Sequence, residues 1–76
     1  MYIYEGTIVD VTPKGFGFIL PDVHAKFGIR PRQIFFHLRD VVDRLTLKPG
    51  DRVSFQIQPS EKGDKAVVVI LLGGAS

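Results

Sequence analysis

Aromatic rings and glycines carry the chemistry this chain can do, and they cluster in two short segments. Lys14-Gly15-Phe16-Gly17-Phe18-Ile19 sets two phenylalanines at i and i+2, which along a strand place both rings on one side. Gln33-Ile34-Phe35-Phe36-His37-Leu38 splits the same way: Phe35 and His37 share one face, and Ile34, Phe36 and Leu38 share the other. With that face outward, Phe35 and His37 join Phe16 and Phe18 in one four-ring patch. Rings in such a patch can stack nucleobases, each worth roughly 1–3 kcal/mol whatever the base, because every base has a π-face. The flanking glycines provide no side chain to pack, which suggests that something approaches the backbone closely. The plainer structural reading makes Phe16 and Phe18 core residues and the glycines a bulge or a barrel corner. Both readings stand on the segments alone.

Other chemistries find no residues. Cysteine is absent, so no disulfide framework or thiolate site is available. His24 and His37 lie on different segments without a carboxylate pair at ligand spacing, so no metal site is expected. Without a P-loop, and without a serine or cysteine beside a histidine, the chain is expected not to be an enzyme and to need no cofactor. The net charge of +2 is too weak to name a nucleic-acid partner by itself. Its distribution is more telling, since Lys26, Arg30 and Arg32 face only Asp22 between Pro21 and Gln33.

The elements that must position these rings are strands. A chain of 76 residues has room for one modest core, and its 45% hydrophobic content argues for a folded one. Apolar, β-branched runs separated by turn residues predict five strands: Ile3 to Val11, Phe16 to Leu20, Gln33 to Leu38, Asp51 to Gln58 and Lys65 to Leu72. Thr12-Pro13-Lys14-Gly15, Pro21-Asp22, Lys48-Pro49-Gly50 and Glu61-Lys62-Gly63-Asp64 supply the turns, and Pro59 closes the fourth strand. In that strand Val53, Phe55 and Ile57 alternate with Ser54, Gln56 and Gln58, the pattern of a wall with one wet side. From Arg39 to Leu45, Val41, Val42 and Leu45 are spaced instead for a short helix or 3₁₀ turn between strands three and four. The fold class expected is all-β, a five-stranded OB-type antiparallel barrel with that turn, spanning residues 1–72 and followed by a flexible tail at 73–76. The longest apolar run, Ala66 to Leu72, falls far short of the roughly 20 residues that span a bilayer, and no signal peptide opens the chain, so a soluble cytoplasmic protein is expected.

Lys14 to Ile19 resembles the first RNA-binding motif of cold-shock domains, and Ile34 to Leu38 resembles the second. Glu5-Gly6-Thr7-Ile8, the stretch Lys48 to Phe55, and Glu61 to Ala66 are similar to the family's first strand, fourth strand with its turn, and final hairpin. The resemblance runs in order over nearly the whole chain. It implies an OB-type barrel that binds single-stranded RNA or DNA with little sequence preference, in an RNA-chaperone or antiterminator role. The family's stacking positions fall on Phe16, Phe18, Phe35 and His37, with Lys14 facing phosphates. Three departures stand out. Leu38 replaces a further aromatic. Val9-Asp10-Val11 replaces a lysine, tryptophan and phenylalanine, setting a carboxylate where a stacking ring would be. The loop from Leu20 to Gln33 is longer than usual and brings Phe27, Arg30 and Arg32, either as a clamp over the bound strand or, for Phe27, as a plug in the barrel mouth.

A rival reading of another class makes the chain a protein-interaction module or a dimerising OB domain with weakened nucleic-acid affinity. It rests on Val67-Val68-Val69-Ile70-Leu71-Leu72, which is more apolar than a one-sided strand requires and would form a homodimer interface.

Overall fold

A computed structural model describes residues 2–22, 33–42, 46–61 and 63–73. Five strands fold there: β1 (Tyr4–Val11), β2 (Phe16–Pro21), β3 (Ile34–His37), β4 (Arg52–Ser60) and β5 (Gly63–Gly73). They close into a barrel in the order β1-β2-β3-β5-β4, with β4 returning to pair with β1. The helical turn between β3 and β4 is a single 3₁₀ turn, Leu38–Asp40, capped by His37; residues 43–45 of the expected turn lie outside the described residues.

The barrel is not antiparallel throughout. Around a closed ring of five strands, directions cannot alternate at every neighbour, so at least one pair must be parallel. That pair is β3 with β5, in the register Phe35↔Lys65 and Phe36↔Ala66, and the bridge Val41↔Val69 extends it. A second correction concerns Pro59, which does not close β4: the strand runs on to Ser60, with Pro59 opposite Asp64. β1 pairs with β4 only as far as Phe55, so beyond it the outer edge of β4 has no partner strand among the described residues. A residue without an N–H is tolerated at such an edge.

Alternation fills the interior. Ile8 from β1, Ile19 from β2, Phe36 from β3, Val53 and Phe55 from β4, and Ala66 and Val69 from β5 are buried together, with Val41 and Leu47 closing the end. Phe36 is, with Phe55, among the largest of these side chains. At 0% exposure, its burial contributes about 1.5–3 kcal/mol.

Three local devices hold the register. In the β1–β2 turn, Thr12 donates to the Phe16 carbonyl through its N–H (2.8 Å) and its hydroxyl (3.1 Å), and Gly15 takes the φ of +97° that the turn needs. In the turn before β4, the buried Asp51 carboxylate accepts the Lys48 N–H at 2.9 Å. Across the wall, Arg52 donates to Thr7 (2.9 Å) and, as a two-pronged fork, to both Asp22 oxygens (2.9 and 2.6 Å), with Glu5 at 3.7 Å. The hydrogen bonds to Asp22 raise the Arg52 pKa above its ordinary value.

Candidate functional site

The β2–β3 register decides which rings face out. Gly17↔Phe36 is an inward pair, so Phe16↔His37 and Phe18↔Phe35 both point away from the core. The result is a two-by-two layer of rings. Phe16 and Phe35 lie 5.5 Å apart, tilted by 33°; Phe18 meets Phe16 at 6.1 Å and Phe35 at 6.2 Å, both edge-on. Such contacts hold aromatic pairs by about 0.5–1.5 kcal/mol beyond area burial. The rings therefore favour one another's placement before anything binds. Phe35 is exposed, and Phe16 and Phe18 are half-buried against it.

His37 is fixed in another way. Its Nδ1 accepts the Arg39 N–H at 3.1 Å, which caps the 3₁₀ turn, orients the ring and leaves Nε2 as the neutral ring's donor. Leu38 packs on the core cluster instead of joining the rings. A main-chain bond from Leu38 N–H to the Gly15 carbonyl, 2.9 Å, ties the end of β3 to the turn that carries Lys14. Lys14 is exposed there, and no ion pair engages it among the described residues.

The glycines need a different account from the one the spacing suggests. A Cβ on Gly17 would come within 3 Å of the Asp10 carbonyl oxygen and of two ring carbons of Phe36. What approaches the Gly17 backbone closely is the protein's own core, from inside the barrel. Gly15 serves the turn, with open space where its Cβ would stand. Neither glycine marks a ligand.

One neighbour of the rings emerges only from the closed barrel. Lys65 pairs with Phe35 across the parallel β3–β5 ladder, so a cation flanks the rings opposite β1. From there a cleft of about 530 Å³ opens between Phe35, Lys65 and the β4–β5 turn, lined also by Ser60, Glu61, Gly63 and Asp64. No local signal pointed to Lys65 as a site residue, because its place depends on a pairing between segments 30 residues apart in sequence. On the other flank, Asp10 pairs with Phe18. Phe27, Arg30 and Arg32 lie outside the described residues.

The site is thus a rigid aromatic face with Lys14 and Lys65 on its borders and Asp10 at one margin. Among the described residues, no group of three His, Asp or Glu side chains is placed to hold a metal, and no helix is long and apolar enough to cross a membrane.

The family model "'Cold-shock' DNA-binding domain" matches residues 5–72. Among solved structures, the chain is similar to "drosophila Unr CSD456", with 28% identity and a TM-score of 0.75 over 99% of this chain. It spans 29% of the length of that Drosophila chain. No curated protein sequence matches it.

Proposed function

Because the chain belongs to the cold-shock domain family, whose members bind single-stranded nucleic acids without catalysis, we propose that it stacks bases of single-stranded RNA or DNA on Phe16, Phe18, Phe35 and His37. Lys14 and Lys65 border the rings and meet the phosphates, and Phe27, Arg30 and Arg32 add contacts from the loop. The observation that carries the reading is the ring layer itself. Three phenylalanines within 6.2 Å of one another lie on the outer wall of a small domain, Phe35 exposed and Phe16 and Phe18 only half-buried. Aromatic side chains on an accessible wall are what the bases of a single strand stack on.

An RNA-chaperone role follows by mass action. A ligand that binds unpaired bases and not helices pulls weak hairpins open in proportion to its differential affinity, which also supports antitermination in the cytoplasm by one unit spanning residues 1–72. The reading is tested by titrating labelled oligo-dT with the full chain at several salt concentrations. Binding should weaken with added salt along a slope set by the few phosphates neutralised. Phe16→Ala with Phe35→Ala should cost about 2–6 kcal/mol, the loss of two stacked bases. Undetectable binding of oligo-dT and oligo-dC alike, or affinity unchanged in the double variant, removes the proposal.

One observation favours a second reading. Val68, Ile70 and Leu72 stand exposed on the outer side of β5, a surface a second copy would cover. Light scattering of the chain decides it: a monomer at all concentrations disposes of the homodimer.

A further inference from the structure

Strict alternation along β1 would turn Ile8 inward, Val9 outward and Asp10 inward. The pairing with β2 slips by one residue instead: Ile8 meets Ile19, Asp10 meets Phe18 and Val11 meets Gly17. Val9 and Asp10 are both exposed, and Val11 rejoins the core. A bulge of this kind re-aims a side chain. Here it brings onto the outer wall a carboxylate that a regular strand would have buried.

The position it reaches is directly across from a ring of the aromatic layer. Facing residues on antiparallel strands hold their Cβ atoms about 4.5–5.5 Å apart, so the carboxylate stands beside the Phe18 ring, where the edge of a base stacked on that ring would come. Three acids of this barrel are engaged, Asp22 and Glu5 by Arg52 and Asp51 by the Lys48 N–H. No hydrogen bond or ion pair engages Asp10 among the described residues.

An ionised carboxylate only accepts hydrogen bonds. Cytosine and adenine present amino groups to it, and acidic side chains accept from the cytosine N4 amino group in duplex readout for the same reason. Thymine and uracil present carbonyl oxygens at that position, whose lone pairs oppose the carboxylate. We propose that Asp10 selects the base stacked on Phe18, favouring amino-bearing bases over thymine and uracil. The inference rests on the stacking reading above and adds to it a base preference that rings alone cannot provide.

The test compares labelled oligo-dC and oligo-dT of equal length, titrated with the full chain at neutral pH and fixed salt. The wild-type chain should bind oligo-dC roughly tenfold more tightly, the effect of one charge-assisted hydrogen bond gained against one repulsive contact. In Asp10→Asn, whose amide both donates and accepts, the ratio should fall towards one, mainly through tighter binding of oligo-dT. Asp10→Ala should also level the two, and it guards against a fold defect particular to the amide. Phe35→Ala should weaken both oligonucleotides by a similar factor and leave the ratio standing. A wild-type preference for oligo-dT, or a ratio unmoved by both Asp10 variants while binding persists, overturns the assignment and leaves stacking intact. If neither homopolymer binds, the stacking reading itself fails and this one falls with it.

Discussion

The outer face of β2 and β3 and the outer face of β5 both leave large apolar side chains in water, yet they are built differently. On β2 and β3 the exposed groups are rings, in mutual contact at 5.5–6.2 Å and seated over buried Phe36. On β5 they are the branched chains Val68, Ile70 and Leu72, set beside Ser54 of β4, which faces Ile70 across the ladder. Rings in contact present adjoining polarisable faces and edges against which bases can stack. Isolated aliphatic chains offer area without direction, and scattered apolar residues are common on any protein surface. Exposed hydrophobicity by itself therefore does not locate the site; its organisation does.

The sharpest way to break that comparison is to unseat the rings from beneath. Gly17 lies between the ring layer and Phe36 and has no room for a methyl group, since both the Asp10 carbonyl and the Phe36 ring come within 3 Å of the added carbon. Gly73, at the end of β5, has nothing within 4 Å. Gly17→Ala should cost roughly 3 kcal/mol, the upper range for overpacking, while Gly73→Ala should change stability by less than about 0.5 kcal/mol. Urea denaturation of the two variants measures both. Equal midpoints would mean that the ring layer does not depend on its seat.

A smaller effect separates the faces by function. Phe18→Ala should lower affinity for a single-stranded oligonucleotide by about 1–3 kcal/mol. Ile70→Ser should leave affinity within about twofold and stability within about 0.5 kcal/mol, as for a solvent-facing position. Affinities are read by fluorescence anisotropy at a temperature where circular dichroism shows both variants folded. Equal losses would make the aliphatic face part of the binding surface and erase the distinction.

What the sequence could tell about these two faces was limited to what a strand decides locally. The i, i+2 spacing of Phe16 and Phe18 assigns them to one side of a strand, and the alternation of Val53 and Phe55 with Ser54 and Gln56 identifies a one-sided wall, because both follow from the two-residue period of an extended chain. Ring closure was not legible. The parallel contact of β3 with β5, and with it Lys65 beside Phe35, arises from strand parity and from a pairing across the barrel. The close approach at Gly17 was legible as an approach but not as to its source, since Phe36 reaches that glycine across a strand pair. The family resemblance set Asp10 at a stacking position, but strand alternation could not account for its outward turn, because a bulge adds one residue to one strand only and its position depends on the partner's register.

The smallest expected effect probes the same kind of irregularity on the aliphatic face. Between Ser54↔Ile70 and Gln56↔Val67, β5 spends one residue more than β4, so Val68 and Val69 together oppose Phe55. Val69 is wholly buried, and Val68 beside it takes a φ of +51°, which a β-branched residue adopts at a cost. The bulge keeps Val69 in the core by placing its neighbour in the left-handed region. Asparagine tolerates that conformation better than valine, and Val68 is 42% exposed, so little packing is lost in the exchange. Val68→Asn should therefore stabilise the barrel by about 1 kcal/mol, seen as a higher urea midpoint with an unchanged slope, and leave oligonucleotide affinity as it was. A loss of stability would show that the valine side chain is held by contacts worth more than its backbone strain, and the outer face of β5 would then be as deliberately built as the aromatic one.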